Sequence, residues 1–187
     1  MKWGGRSTIR LVMELRVVVA CSECGVYWFL DREQAKCNEP QHLHQQFEVH
    51  HHCSVVTLPD RTEVTAASFG ASDPYTRDCP PDYGIYLDPL WQPPWNHDNL
   101  DWPDFGVPVD PSQVVVALQS VLARVRAGQR VEIGCRGGHG RTGTALACLA
   151  VFSGIPPSEA VEWVRSNYCA EAIETAEQEE FIAGLGE

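Results

Sequence analysis

Hydrophobic and polar positions recur along this chain with two periods, one typical of strands and one typical of helices. In the first half, short runs rich in apolar and β-branched residues predict strands at residues 16–20, 26–30, 49–58, 62–69 and 83–87. The first two of these strands are expected to pair, and the turn Pro59-Asp60-Arg61 predicts a hairpin from the next two. In the second half, helical spacing of apolar residues predicts helices over 111–127, 141–152, 157–167 and 176–183.

The first of these helices has clear signals at both ends. Asp110 suits the N-cap position, Pro111 suits the first helical residue, and Gly128 ends the pattern. A strand over 130–134 follows and leads through a glycine-rich loop into the next helix. Strands early in the chain and helices late, around a central strand–loop–helix unit, predict an α/β fold with a mixed central sheet flanked by helices.

The loop between that strand and that helix reads Cys135-Arg136-Gly137-Gly138-His139-Gly140-Arg141-Thr142. A glycine-rich loop before a helix can point successive backbone N–H groups at a phosphate, and the helix N-terminus adds positive charge. The guanidinium of Arg141 can hold two phosphate oxygens, and the same positive field favours the thiolate form of Cys135. The loop, with residues 136–140 around the anion, is therefore predicted to bind phosphate beside a cysteine nucleophile.

A second segment upstream supplies the acid that such chemistry needs. It reads Trp102-Pro103-Asp104-Phe105-Gly106-Val107-Pro108. Attack of a thiolate on a phosphate ester expels an alkoxide or phenoxide, which leaves poorly unless it is protonated. Asp104 can donate that proton as a general acid, and the prolines and glycine around it restrict the loop to few conformers.

These two segments resemble the phosphate loop and the general-acid loop of the cysteine-dependent protein tyrosine phosphatase superfamily, and the chain is identified as a small, dual-specificity-like member. A third segment, Glu174-Thr175-Ala176-Glu177-Gln178, resembles the one in which a glutamine positions the hydrolytic water. The resemblance covers residues 87 to 187. It implies a protein tyrosine phosphatase-like fold and hydrolysis of phosphotyrosine, phosphoserine or phosphothreonine in proteins, without a cofactor.

The resemblance also implies a role for each matching residue. Cys135 attacks phosphorus while Asp104 protonates the leaving oxygen, which forms a cysteinyl-phosphate. Asp104 then acts as a base while Gln178 orients the attacking water. Thr142 donates its hydroxyl to the departing Cys135 thiolate, and Arg141 binds the phosphate.

Several positions leave the substrate open. Gly134 stands where most members of the family carry a histidine, and Glu174 stands where many carry a glutamine. Arg136 and His139 place basic groups where inositol-phospholipid phosphatases carry lysines, so a polyanion such as an inositol phosphate or phosphoinositide is an alternative substrate. A phosphate-binding module without turnover is a third interpretation, which the presence of a general acid disfavours.

The N-terminal third of the chain is rich in cysteine and histidine. A C-x2-C knuckle followed by a further cysteine and histidine is a pattern typical of tetrahedral structural zinc. The predicted ligands are Cys21, Cys24, Cys37 and His42, with His44 or Cys53 as substitutes. The alternative is a set of reduced cysteines beside a solvated histidine cluster.

Composition and charge limit the function classes. The formal net charge of −11 argues against nucleic acid as a partner and makes the basic residues around Cys135 stand out. No apolar run approaches the roughly 18 residues of a membrane-spanning helix, and the start is a poor signal peptide. A cytoplasmic enzyme with reduced thiols and a phosphorylated protein or polyanionic substrate is expected.

Three regions are predicted along the chain. Residues 1–15 are expected to be a disordered extension, with translation starting at Met1 or at Met13. Residues 16–58 form a Cys/His-rich strand region packed on the main domain, and residues 59–187 form the phosphatase catalytic domain.

Overall fold

The computed structural model describes residues 15–21, 27–29, 44–50, 53–68, 77 and 79–186. The chain divides into two compact units, Met1–His51 and His52–Glu187. The smaller unit contains an antiparallel sheet in the order β2-β1-β3, made of β1 Leu15–Cys21, β2 Tyr27–Phe29 and β3 His44–His50. The pairing of β1 with β2 confirms the prediction that the first two strands are partners.

The larger unit is built on a mixed sheet of five strands. They are β4 Cys53–Thr57, β5 Glu63–Ser68, β6 Tyr83–Tyr86, β7 His97–Asn99 and β8 Val131–Cys135. Their order is β4-β5-β8-β6-β7, with an antiparallel β4–β5 hairpin as predicted and parallel pairing elsewhere. Because β4 pairs with β5, the larger unit begins before the predicted boundary between residues 58 and 59.

Four helices flank this sheet and confirm the predicted fold class. They are α1 Pro111–Arg126, α2 Gly140–Phe152, α3 Pro157–Asn167 and α4 Ala176–Ala183. The Asp110 carboxylate caps α1 by accepting the N–H of Gln113 at 3.0 Å. In the part of the chain that the structure describes, no helix is both long enough and apolar enough to cross a bilayer.

The core of the larger unit lies around β8 and α2. Every residue of β8 is buried, and α2 is buried from Gly140 to Ala150 because it contacts α1, α3, α4 and β8. Burial raises the pKa of the Cys148 thiol on α2 to about 12, so this cysteine behaves as an inert core residue. The loop that joins β8 to α2 is therefore held at both ends by buried elements.

A buried polar network is centred on Glu132, the second residue of β8. Glu132 is 2% exposed, and its carboxylate accepts from Arg77 Nε at 2.7 Å, Arg77 Nη2 at 2.9 Å and Tyr86 Oη at 3.0 Å. Tyr86 Oη in turn accepts the indole N–H of Trp95 at 2.6 Å. Burial and the Glu132 carboxylate raise the pKa of Tyr86, which keeps its hydroxyl protonated as a donor.

We expect Arg77→Met to lower the free energy of unfolding by about 3 kcal/mol or more, because it leaves the Glu132 carboxylate buried without its partner charge. A matched control is Arg126→Met, which removes a 2.8 Å ion pair with Asp60 whose arginine side chain is 50% exposed. The control should lose less than about 1 kcal/mol. Urea denaturation measures both variants, and equal losses would contradict a structural role for the buried pair.

Candidate active site

The loop between β8 and α2 curls around the sulfur of Cys135. Cys135 is the last residue of β8 and is 2% exposed, and the backbone N–H of Gly138 donates to its Sγ at 3.2 Å. Gly138 has a φ of 77°, in the left-handed region that favours glycine. Because α2 begins at Gly140, the positive end of a helix also lies at this loop. The loop thus offers backbone donors to an anion held beside the thiol.

Arg141 connects this loop to two other parts of the larger unit. It is 4% exposed, and its Nη1 donates to the carbonyls of Leu87 at 2.8 Å and Trp102 at 3.0 Å. Its Nη2 forms an ion pair with Asp104 Oδ1 at 3.0 Å. Its Nε is buried, as is Thr142 Oγ1, and neither atom has a hydrogen-bond partner among the described residues. Each of these two buried atoms therefore keeps a hydrogen-bonding position that no described residue fills.

The buried side chain of Trp102 anchors the acid loop, residues 102–108. Trp102 is 1% exposed, and its indole N–H donates to the carbonyl of Gly106 at 2.9 Å. The N–H of Gly106 donates to the Pro103 carbonyl at 3.1 Å, which closes a tight turn around the acid. Asp104 stays 49% exposed, and its neighbour Phe105 is exposed with a φ of 58°. The loop therefore presents a carboxylate and an aromatic ring at the surface above Arg141.

Gln178, on the first turn of α4, contacts the acid loop. It is fully buried, its Oε1 accepts the N–H of Glu174 at 2.8 Å, and its Nε2 donates to the Gly106 carbonyl at 3.2 Å. A Cβ at Gly140 would lie 2.2 Å from Glu174 Oε2 and 3.1 Å from Gln178 Nε2. Glycine at position 140 thus allows the 174–178 segment to approach the start of α2.

Glu174 adds a second carboxylate near the ion pair. Partial burial and the Asp104 carboxylate raise the pKa of Glu174, while the N–H of Gly140 and the guanidinium of Arg141 oppose this shift. The charges of Asp104 and Arg141 therefore both act on the Glu174 carboxyl group. The only signal in the sequence was the departure from glutamine at this position.

The segment after α3 braces the outer side of the loop. The hydroxyl of Tyr168 donates to the carbonyl of Gly138 at 2.6 Å, and Cys169 Sγ lies 3.6 Å from Nδ1 of His139. Partial burial raises the pKa of the Cys169 thiol. No motif marked Tyr168, because its contact depends on how α3 returns to the loop.

The structure describes all the predicted catalytic residues but only one of the four predicted zinc ligands. It brings together Cys135, Asp104, Arg141, Thr142 and Gln178 with the glycines of the loop, whereas the side chain of Arg136 is exposed. The backbone of Cys21 belongs to β1, but Cys24, Cys37 and His42 lie outside the described residues. The zinc site at these four residues stays a prediction.

The chain is similar to several known proteins. A family model described as Swiss Army Knife protein, DSP-PTPase phosphatase domain, matches residues 103–182. The uncharacterized protein MJECL20 of Methanocaldococcus jannaschii is 36% identical over 110 residues, 52% of this chain and 71% of that protein. The crystal structure of Tk-PTP in the active form is 30% identical, with a TM-score of 0.50 over 56% of this chain and 78% of that one.

Kinase associated phosphatase is similar in fold alone, at 17% identity and a TM-score of 0.58 over 71% of this chain and 92% of that one. The residues matched by the family model include Asp104, Cys135, Arg141 and Gln178.

Proposed function

This chain belongs to the protein tyrosine phosphatase superfamily as a dual-specificity-like member, and we propose that it hydrolyses phosphate monoesters through a cysteinyl-phosphate. One observation carries the proposal: Arg141, six residues after the buried Cys135, holds the Asp104 carboxylate at 3.0 Å. A nucleophile, an anion-binding guanidinium and an acid therefore meet in one site. A module that only bound phosphate would need the first loop but not the acid.

In the first step, Cys135 Sγ attacks phosphorus while the bond from phosphorus to the leaving oxygen breaks. The N–H groups of the loop bind the phosphate oxygens together with Nε of Arg141, which has no hydrogen-bond partner in the described part of the chain. These donors stabilise the charge that develops in the transition state. Asp104 acts as the general acid in this step, and its proton goes to the leaving oxygen.

In the second step, water attacks the cysteinyl-phosphate and the sulfur–phosphorus bond breaks. Asp104, now ionised, takes a proton from the water, and Gln178 orients that water. Support for this role is that the Gln178 amide already contacts the acid loop, where its Nε2 donates to the Gly106 carbonyl at 3.2 Å. The buried Thr142 hydroxyl, without a partner among the described residues, donates to the thiolate as it departs.

We propose that the substrates are proteins phosphorylated on tyrosine, serine or threonine. Phe105 supports this choice because it is 55% exposed and directly follows the acid, where an aromatic ring can contact the side chain that carries the phosphate. The alternative substrate is a polyanion such as an inositol phosphate. Its support is the exposed guanidinium of Arg136 in the phosphate loop.

Phosphate release from phosphotyrosyl and phosphothreonyl peptides, an inositol polyphosphate and p-nitrophenyl phosphate tests both proposals. We expect the wild type to hydrolyse the peptides and Arg136→Ala to change every rate by a similar factor. A loss of about tenfold or more that is confined to the inositol polyphosphate would favour the polyanion, because it matches one charge-assisted hydrogen bond. Arg126→Ala is the control for removal of an exposed arginine. Absence of release from every substrate by the folded wild type would contradict a phosphatase.

A further inference from the structure

We propose that His139, Cys169 and Glu171 form a binding site for a zinc-type divalent cation on the outer side of the phosphate loop. One ligand atom from each residue lies within 4.8 Å of the other two. His139 belongs to the loop itself, whereas Cys169 and Glu171 follow α3. The site shares no residue with the zinc site predicted in the N-terminal third, and it uses none of the proposed catalytic residues.

The distance between the sulfur and nitrogen donors already suits zinc. In a tetrahedral site with a sulfur at about 2.3 Å and a nitrogen at about 2.05 Å, these two atoms lie about 3.6 Å apart. Cys169 Sγ and His139 Nδ1 are 3.6 Å apart. Glu171 is exposed, so its carboxylate can move the remaining distance of little more than about 1 Å that a tetrahedral edge requires. Binding therefore needs a side-chain adjustment at only one residue.

The donor set selects the kind of cation. Thiolate and imidazole are ligands of zinc, whereas calcium and magnesium prefer oxygen ligands alone. Three protein ligands leave the fourth tetrahedral position open to water or an anion.

Neighbouring contacts hold the donors in place before a metal arrives. The hydroxyl of Tyr168 donates to the Gly138 carbonyl at 2.6 Å, which ties the residue before Cys169 to the residue before His139. This contact limits how far the backbone at the two donors can move apart. A bound cation would strengthen the same connection and would add positive charge beside the phosphate loop. A plain hydrogen bond between Cys169 and His139 is the competing explanation of the 3.6 Å contact, and the experiment must separate the two.

Titration with Co²⁺ at pH 8 tests the site, because a cobalt–thiolate bond gives a charge-transfer absorption that a hydrogen bond does not. The parent protein is the full chain with Cys135→Ser, which removes the nucleophilic sulfur and makes the readout independent of turnover. Failure of the proposed phosphatase activity would therefore leave this test unaffected. Because cysteines of the N-terminal third can also bind cobalt, the signal of interest is the difference between the parent and the parent with Cys169→Ser.

We expect Cys169→Ser to remove the absorption of one sulfur-bound cobalt equivalent, and Zn²⁺ to displace that equivalent from the parent. Glu171→Gln should weaken cobalt binding at this site by about tenfold or more, since even outer partners of a metal contribute that much. Cys79→Ser, which changes an exposed thiol elsewhere in the larger unit, is the matched control and should leave the spectrum unchanged. Identical spectra for the parent and Cys169→Ser, or unchanged affinity in Glu171→Gln, would overturn the three-ligand site.

Discussion

Cys135→Ser is expected to abolish hydrolysis of p-nitrophenyl phosphate, with turnover falling by at least about 10⁴-fold. The reason is chemical, because the serine hydroxyl is not ionised near neutral pH and forms no thiophosphate intermediate. Cys79→Ser is the matched control, because it makes the same change at an exposed thiol of the larger unit. Steady-state phosphate release at saturating substrate measures both variants.

The same variant should still bind inorganic phosphate, which separates loss of the nucleophile from loss of the fold. The N–H of Gly138 and the guanidinium of Arg141 stay in place when the sulfur becomes oxygen, so calorimetric phosphate affinity should change little. Full turnover by Cys135→Ser would mean that the nucleophile lies elsewhere. Loss of both turnover and phosphate affinity would mean that the loop itself depends on the sulfur.

Asp104→Asn is expected to lower turnover of an alkyl phosphate by about 10² to 10⁴-fold, the usual contribution of a general acid. The loss should be much smaller with p-nitrophenyl phosphate, because p-nitrophenolate leaves without being protonated. Asp101→Asn is the control, since it changes an exposed carboxylate three residues earlier, directly before the acid loop. Comparing kcat for the two substrates in both variants measures the effect.

The ion pair between Arg141 and Asp104 makes this comparison of leaving groups necessary. At 3.0 Å from Arg141 Nη2, the Asp104 carboxylate also helps to place the guanidinium that binds phosphate. If Asp104 acted only through that contact, Asp104→Asn would slow both substrates by the same factor. An equal loss would therefore contradict the role as general acid and leave Asp104 as a positioning residue.

Much of the fold of the larger unit could be predicted because its signals are local. The helix from Pro111 to Arg126 is bounded by an N-cap carboxylate and by Gly128, and both act within a few residues. The strand–loop–helix unit around Cys135 is likewise determined by local signals, since a buried apolar run, a glycine-rich loop and a largely apolar helix follow one another directly. The acid loop was recognisable for the same reason, since its residues lie next to one another in the chain.

The amino-acid sequence by itself thus determined the fold class of the larger unit, the helices, the hairpin and the residue types of a cysteine-dependent phosphatase site. Only the tertiary structure decided which side chains connect these elements across long distances in the sequence. Arg141 contacts the carbonyl of Leu87 54 residues away, and Arg77 pairs with Glu132 55 residues away. Strand β7 and the contact of Tyr168 with the loop were missed for the same physical reason. Such contacts depend on which distant segments come together when the core is buried. Hydrophobic periodicity and helix caps report only on local structure, so they do not predict these contacts.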